Sequence, residues 1–210
     1  MKRMKKVLIL VAALFVGIQA HAQLQADGGY QHFFEQWQYR NGEVRENQNG
    51  PDWDGFYVGG RYNINLPWVD GLSVIPGANF SFMFSKVATD ANCREIALNI
   101  PIDAAYTLDL GTVQLRGFAG PSIQVGLLNH MVARGGNQTT SYNMYGDNGN
   151  NYVLGTRTRV NVSLGIGAGF VVRERFTGHI RYDLGLANLT TAQYVKLFRN
   201  TLQVGVGYIF

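Results

Sequence analysis

From Phe56 onward the chain alternates between apolar and polar positions. Phe56, Val58, Tyr62, Ile64 and Leu66 share one face of an extended segment, and Tyr57, Arg61, Asn63 and Asn65 share the other, the period of two that marks a strand with one apolar side. The pattern recurs from Leu72 to Phe84, where Val74, Ala78, Phe80 and Phe82 oppose Ser73, Asn79 and Ser81. A third run sets Ile96, Leu98, Ile100, Ile102 and Tyr106 against Ala97, Asn99, Asp103 and Ala105. A fourth sets Leu115, Ala119, Ile123, Val125 and Leu127 against Gln114, Arg116, Phe118, Ser122 and Gln124. The fifth opposes Val160, Val162, Leu164, Ile166 and Phe170 to Asn161, Ser163, Gly165, Gly167 and Gly169, and the sixth Ile180, Tyr182 and Leu184 to His179, Arg181 and Asp183. The last places Leu202, Val204, Val206, Tyr208 and Phe210 opposite Gln203, Gly205 and Gly207.

These segments are longer than the roughly 5–6 residues usual for soluble strands. They predict an all-β fold, a transmembrane antiparallel up-and-down β-barrel of about eight strands. Bacterial single-chain barrels have even strand counts, so an eighth strand is expected near residues 28–40, GGYQHFFEQWQYR. There Glu35 shares a side with Phe33 and Trp37, the side expected to meet lipid. The links sort into short periplasmic turns (66–71, 107–111 and 173–175) and longer extracellular loops (41–52, 85–92, near 128–156, and 188–198), which places both termini in the periplasm. Trp53, Trp68, Tyr106, Phe176, Tyr182, Tyr208 and Phe210 stand near the expected strand ends, as interfacial girdles do.

The start of the chain decides the compartment. Lys2, Arg3, Lys5 and Lys6 precede an apolar run from Val7 to Ile18, followed by Ala20-His21-Ala22. This is a cleavable signal peptide over 1–22 with cleavage before Gln23; the run is shorter than the roughly 17–25 residues of a membrane helix. Four of the eighteen Lys and Arg lie there, and the fourteen that remain balance fourteen Asp and Glu. The basic excess therefore belongs to the targeting segment, and no nucleic-acid partner is expected. Residues 23–210 form a single barrel domain. Cys93 is the lone cysteine, so neither an intramolecular disulfide nor a CxxC motif can form.

The inward set holds Arg61, Asp103, Arg116, His179, Arg181 and Asp183. Charges in a narrow lumen must be paired or hydrated, and eight strands enclose a space that side chains just fill. The expected arrangement is an ion network plugging the barrel, with Arg61, Arg116 and Arg181 in reach of Asp103 or Asp183 and inward glycines leaving room for long arginines. A narrow solute or ion channel is the alternative. His179 and Asp183 lie about 13 Å apart along one strand, too far for a base and its orienter. His130 and Ser141, near the outer rim, are the other pair weighed for lipid-modifying chemistry; no catalytic residue is assigned and no enzyme is expected. Tyr142, Tyr145 and Tyr152 make the longest loop a candidate interaction surface. Asp147, Asn148, Asn150 and Asn151 lack the calcium-loop spacing, so no metal or other cofactor is expected.

With its signal, alternating strands, glycine-rich inner face and terminal Tyr208-Ile209-Phe210, the chain resembles the small bacterial outer-membrane β-barrels of the OmpA/OmpX-like and PorT-like kind. The resemblance covers nearly all of the mature chain. It implies the outer membrane as location, outer-membrane lipid as surroundings, and the barrel-assembly machinery as a partner in biogenesis, with Tyr208 and Phe210 matching the terminal signal that machinery reads. The chain ends on its last strand, so the peptidoglycan-binding domain of full-length OmpA is not expected. Barrels of this kind include adhesins, assembly or secretion accessories, stabilising proteins and a few lipid-modifying enzymes; the expected role is that of a surface interaction protein or an accessory subunit of a larger outer-membrane complex.

Overall fold

Alternating side chains leave every backbone N–H and C=O free to pair sideways, and the chain pairs them into a closed ring. The computed structural model describes residues 22–41, 44–88, 91–135, 138–146 and 156–210. Residues 1–21, nearly all of the segment expected as a signal peptide, and Tyr152 lie outside these. The strands are β1 (Ala22–Asn41), β2 (Val44–Asn49), β3 (Trp53–Asn65), β4 (Leu72–Ala88), β5 (Ala91–Asp109), β6 (Val113–Gly135), β7 (Gln138–Asn143), β8 (Val160–Val172), β9 (Phe176–Gly185) and β10 (Val195–Ile209). Eight of them, β1, β3, β4, β5, β6, β8, β9 and β10, form an antiparallel ring in sequence order. It closes where β1 pairs with β10, from Gln25 opposite Ile209 to Tyr39 opposite Val195. Closure removes sheet edges, which hydrocarbon does not tolerate. β2 lies on the far part of β1 and β7 on the far part of β6, so both lengthen hairpins at one end of the barrel, called here the loop end.

The outer wall is apolar and exposed, including Val58, Phe80, Ile102, Leu164, Ile166 and Val206, while Asn79, Ser81, Asp103, Arg181 and Gln203 are buried inside. Three short connections define the opposite, turn end. Gly71 and Gly111 take positive φ there (79° and 88°). In the third, a three-residue link between Val172 and its register partner Phe176, Arg173 and Glu174 both adopt positive φ (51° and 60°), with the Arg175 N–H donating to the Val172 carbonyl at 3.2 Å, the two positive φ values of a type I′ turn without its usual Asn-Gly.

Four expectations change. β1 begins at Ala22, not near residue 28, and faces the other way: Gln25, Asp27, Gln31, Phe33, Glu35 and Trp37 are buried in the lumen, while Leu24, Tyr30 and Phe34 are exposed outside. The reason is electrostatic, since the Glu35 carboxylate meets two arginines within the barrel. Trp53 belongs to no interfacial girdle; it is 1% exposed and packs with Phe33, Met83 and Cys93 inside the loop end. The long outer loops are partly strand. β6 runs to Gly135 and β7 occupies 138–143 of the segment expected as loop from 128, while β10 starts at Val195, because backbone pairing continues past the apolar belt where side-chain alternation fades.

Candidate functional site

Among the described residues ten carboxylate and guanidinium side chains are buried in the lumen, and their signs balance. Arg61, Arg116, Arg157, Arg181 and Arg199 face Asp27, Glu35, Glu95, Asp103 and Asp183. They stack in three levels along the barrel.

The loop-end level gathers Glu35 from β1, Glu95 from β5, Arg199 from β10 and Arg157 from the connection before β8. Arg157 donates from Nη1 to Glu35 Oε1 (2.6 Å) and from Nη2 to Oε2 (2.8 Å). Arg199 Nη2 donates to Glu35 Oε1 (2.7 Å), while its Nη1 and Nη2 reach Glu95 at 2.5 and 2.9 Å. Asn129 Nδ2 adds a donor to Glu95 at 2.8 Å. The forked guanidinium matches two carboxylate oxygens at once. Arg157 and Arg199 also lie 5.6 and 5.7 Å from the Trp53 ring centre, and Arg199 4.5 Å from that of Phe33, within the range in which a ring face attracts a cation. Arg157 forms an isolated bridge with Thr190. The ion cluster thus holds the connections before β8 and before β10 against the barrel mouth. Tyr145 closes over the same level, its ring 4.9 Å from the Arg159 guanidinium and seated on Gly126, where a Cβ would overlap it.

In the middle level Arg181 bridges β5 and β9. Its Nη1 donates to both oxygens of Asp103 at 2.6 Å, and its Nε to both oxygens of Asp183 at 2.9 Å. The Ser122 hydroxyl donates to Asp183 at 3.2 Å and lies 2.6 Å from that of Ser163. A Cβ at Gly165 would overlap the Arg181 guanidinium, so the missing side chain is what makes room for the arginine.

The turn-end level pairs Arg61 with Asp27, Nε to Oδ2 at 3.0 Å, an ion pair by distance whose angle falls outside hydrogen-bond geometry. His179 Nε2 lies 2.9 Å from Arg61 Nη2 and 2.8 Å from the Tyr57 hydroxyl. Arginine can only donate, so this ring nitrogen accepts and His179 carries its proton on Nδ1.

Of the six residues expected in the network, Arg181, Asp103 and Asp183 meet. Arg61 pairs with Asp27 in place of Asp103 or Asp183. Arg116 has no acidic partner within 4.0 Å among the described residues; its Nε donates to Thr107 Oγ1 at 3.2 Å, and it faces a turn-end vestibule of about 840 Å³. His179 is tied to Tyr57 and Arg61, away from Asp183. Asp27, Glu35, Glu95, Arg157 and Arg199 were not anticipated, although Glu95 shares the parity of Asp103 and Arg199 that of Gln203. Within the barrel, cavities beside Arg61 and beside Glu95 measure about 20 and 10 Å³, each room for about one water.

Outside the barrel, His130 and Ser141 line one groove of about 460 Å³ on the β4–β7 wall. No hydrogen bond joins the two. Tyr142 is half-buried opposite Met131, and Tyr145 occupies the mouth as described. At the turn end Tyr208 stacks edge-on with Phe176 and Phe210, and the exposed Phe210 donates its N–H to the Leu24 carbonyl at 3.0 Å.

A sequence profile described as "Outer membrane protein beta-barrel domain" matches residues 8–210. No curated protein matches by sequence. Solved structures similar to the chain include Ail, the attachment invasion locus protein of Yersinia pestis, at 16% identity over 88% of this chain and 99% of that one, TM-score 0.38. The outer membrane protein OprG from Pseudomonas aeruginosa is 11% identical over 90% of this chain and 96% of its own, TM-score 0.49. The outer membrane enzyme PagL is 10% identical over 90% and 99%, TM-score 0.46.

Proposed function

This chain belongs to the outer membrane protein beta-barrel domain family and is a barrel of the bacterial outer membrane, and from that premise we propose that it is a non-enzymatic barrel with a side-chain-plugged lumen. It acts through its loop-end rim, as a surface interaction protein or as an accessory subunit of an outer-membrane complex serving assembly or secretion. The observation that carries this reading is the Glu35–Arg199–Glu95–Arg157 cluster, which ties β1, β5 and β10 to the connection before β8 across the mouth. A mouth held this way offers a rigid rim, and recognition falls to the segment that links β6 to β8, residues 138–156 above all.

The experiment is purification from native membranes after mild crosslinking, comparing the full chain with a variant in which a short Gly-Ser linker replaces 147–155. Both should insert, since Tyr145 and Arg157 stay on either side. The partner should co-purify with the full chain and be lost from the variant. Equal recovery from both would remove the rim reading.

A narrow channel is the second reading. The vestibule at the turn end and the arginine facing it without an acidic partner, Arg116, favour it, because such a charge would select anions at a pore mouth.

A further inference from the structure

Strand register places the outward residues of the β3–β6 wall in horizontal rows. One row reads Val58, Phe80, Leu98, Val125, and the next toward the loop end reads Phe56, Phe82, Ile96, Leu128. The row after that reads Asp54, Phe84, Arg94, His130, and then comes Lys86, Asn92, Val132, Ser141. The wall passes from wholly apolar to charged within one row, which is where a bilayer passes from acyl chains to headgroups.

The groove of about 460 Å³ lies across this step, with Phe82, Ile96 and Leu128 below and Arg94 and His130 above. Its shape comes from the bulge between β5 and β6: Ile96 pairs with Leu128 but Ala97 with Gly126, so Leu127 and Leu128 both face outward and the wall is locally bent. Arg94 and Lys86 are exposed and, among the described residues, neither forms a hydrogen bond or ion pair with the protein. Arg134, also exposed, lies on the same face of β6 further toward the loop end. Among the described residues the acids of this wall are Asp52 and Asp54, both set against His32, with Asp54 also held by Tyr30; Glu95 is buried and reaches Arg199 in the lumen.

We propose that this groove binds a net-anionic, phosphate-bearing acyl lipid of the outer leaflet, its phosphate on Arg94 at the groove's edge with Lys86 reaching in from the adjoining row, and an acyl chain against Phe82, Ile96 and Leu128. Charge complementarity selects this occupant. One unpaired cation, Arg94, lines the edge of an apolar trough and a second, Lys86, stands in the adjoining row, and an anionic lipid offers the same two chemistries in the same order. A lipid without net charge would fill the trough, but its own ammonium group already balances its phosphate and leaves the protein's cations without a counter-charge. The site does not depend on whether the lumen conducts.

The test uses the full mature chain in detergent micelles, with phosphatidylglycerol or phosphatidylcholine added and retained lipid counted by native mass spectrometry. Phosphatidylglycerol should be retained over phosphatidylcholine by about tenfold, with the preference abolished in Arg94→Glu/Lys86→Glu. Lys196→Glu, an exposed charge on β10, should leave it intact. Leu128→Trp keeps both cations but fills the trough, and should lose retention as well; heat-shifted migration on a gel verifies that each variant is folded. Equal retention of the two lipids, or an unchanged preference in the double variant, would overturn the proposal. So would displacement of the lipid by inorganic phosphate alone at comparable concentration, which would make this an anion site with no lipid component.

Discussion

Arg157 grips Glu35 with two near-parallel hydrogen bonds of 2.6 and 2.8 Å across 122 residues of sequence, one partner in the first strand and the other in the connection before β8. Removing one member of a buried pair leaves the other charge without its partner, at a cost of about 3–5 kcal/mol. Glu35→Ala strands Arg157 and half of Arg199, so it should lower the urea midpoint of unfolding in lipid vesicles more than Arg157→Ala, which leaves Glu35 still held by Arg199. The double variant should cost less than the sum of the two singles, because the residues share one network. Additive losses would mean that the two do not act as a unit.

Gly165 gives way to Arg181. Gly165→Leu should displace the guanidinium from Asp103 and Asp183 and destabilise the barrel by about 1–3 kcal/mol or more. Gly117→Ala, where an added Cβ meets nothing within 4 Å, should change stability by less than about 0.5 kcal/mol. Equal unfolding midpoints for the two variants would show that the middle level does not need its glycine.

Ile166, 67% exposed, stands midway along β8 on the outer wall. Ile166→Arg should cost about 2–4 kcal/mol in a bilayer, against about 0–1 kcal/mol for Leu110→Arg at the turn end. The ratio of heat-shifted to unshifted protein after refolding into vesicles reads the difference. Matching yields would place residue 166 outside the hydrocarbon.

Arg173 and Glu174 hold left-handed backbone, a conformation costing a non-glycine residue roughly 1–2 kcal/mol. Arg173→Asn/Glu174→Gly should therefore stabilise the barrel by about 1 kcal/mol and raise its unfolding midpoint; an unchanged or lower midpoint would show that this turn carries no such strain.

The ring, its eight strands and its turn end were legible because a period of two survives wherever one side meets lipid. Its sense in β1 was not. Alternation says that Phe33, Glu35 and Trp37 share a face but not which face it is, and large rings suggest lipid unless the arginines awaiting Glu35 are known. Those arginines lie beyond local pattern. Arg157 stands in a connection, and Arg199 precedes the clearly alternating part of β10, so each acquires its meaning only from a strand distant in sequence. The middle level was readable because Asp103, Arg181 and Asp183 all sit within well-alternating runs, whereas Arg61 was matched to the wrong acid because Asp27 lies in the strand whose sense was reversed.

The central claim is that paired charges close the lumen, and single-channel recording from the purified mature chain in planar bilayers tests it most directly. The wild-type barrel should be electrically quiet, while Glu35→Ala/Arg199→Ala, which removes the core of the loop-end cluster, should show intermittent current steps. Steady, reproducible conductance from the wild-type barrel, with ion selectivity altered by Arg116→Ala, would contradict the plugged lumen and establish the channel instead.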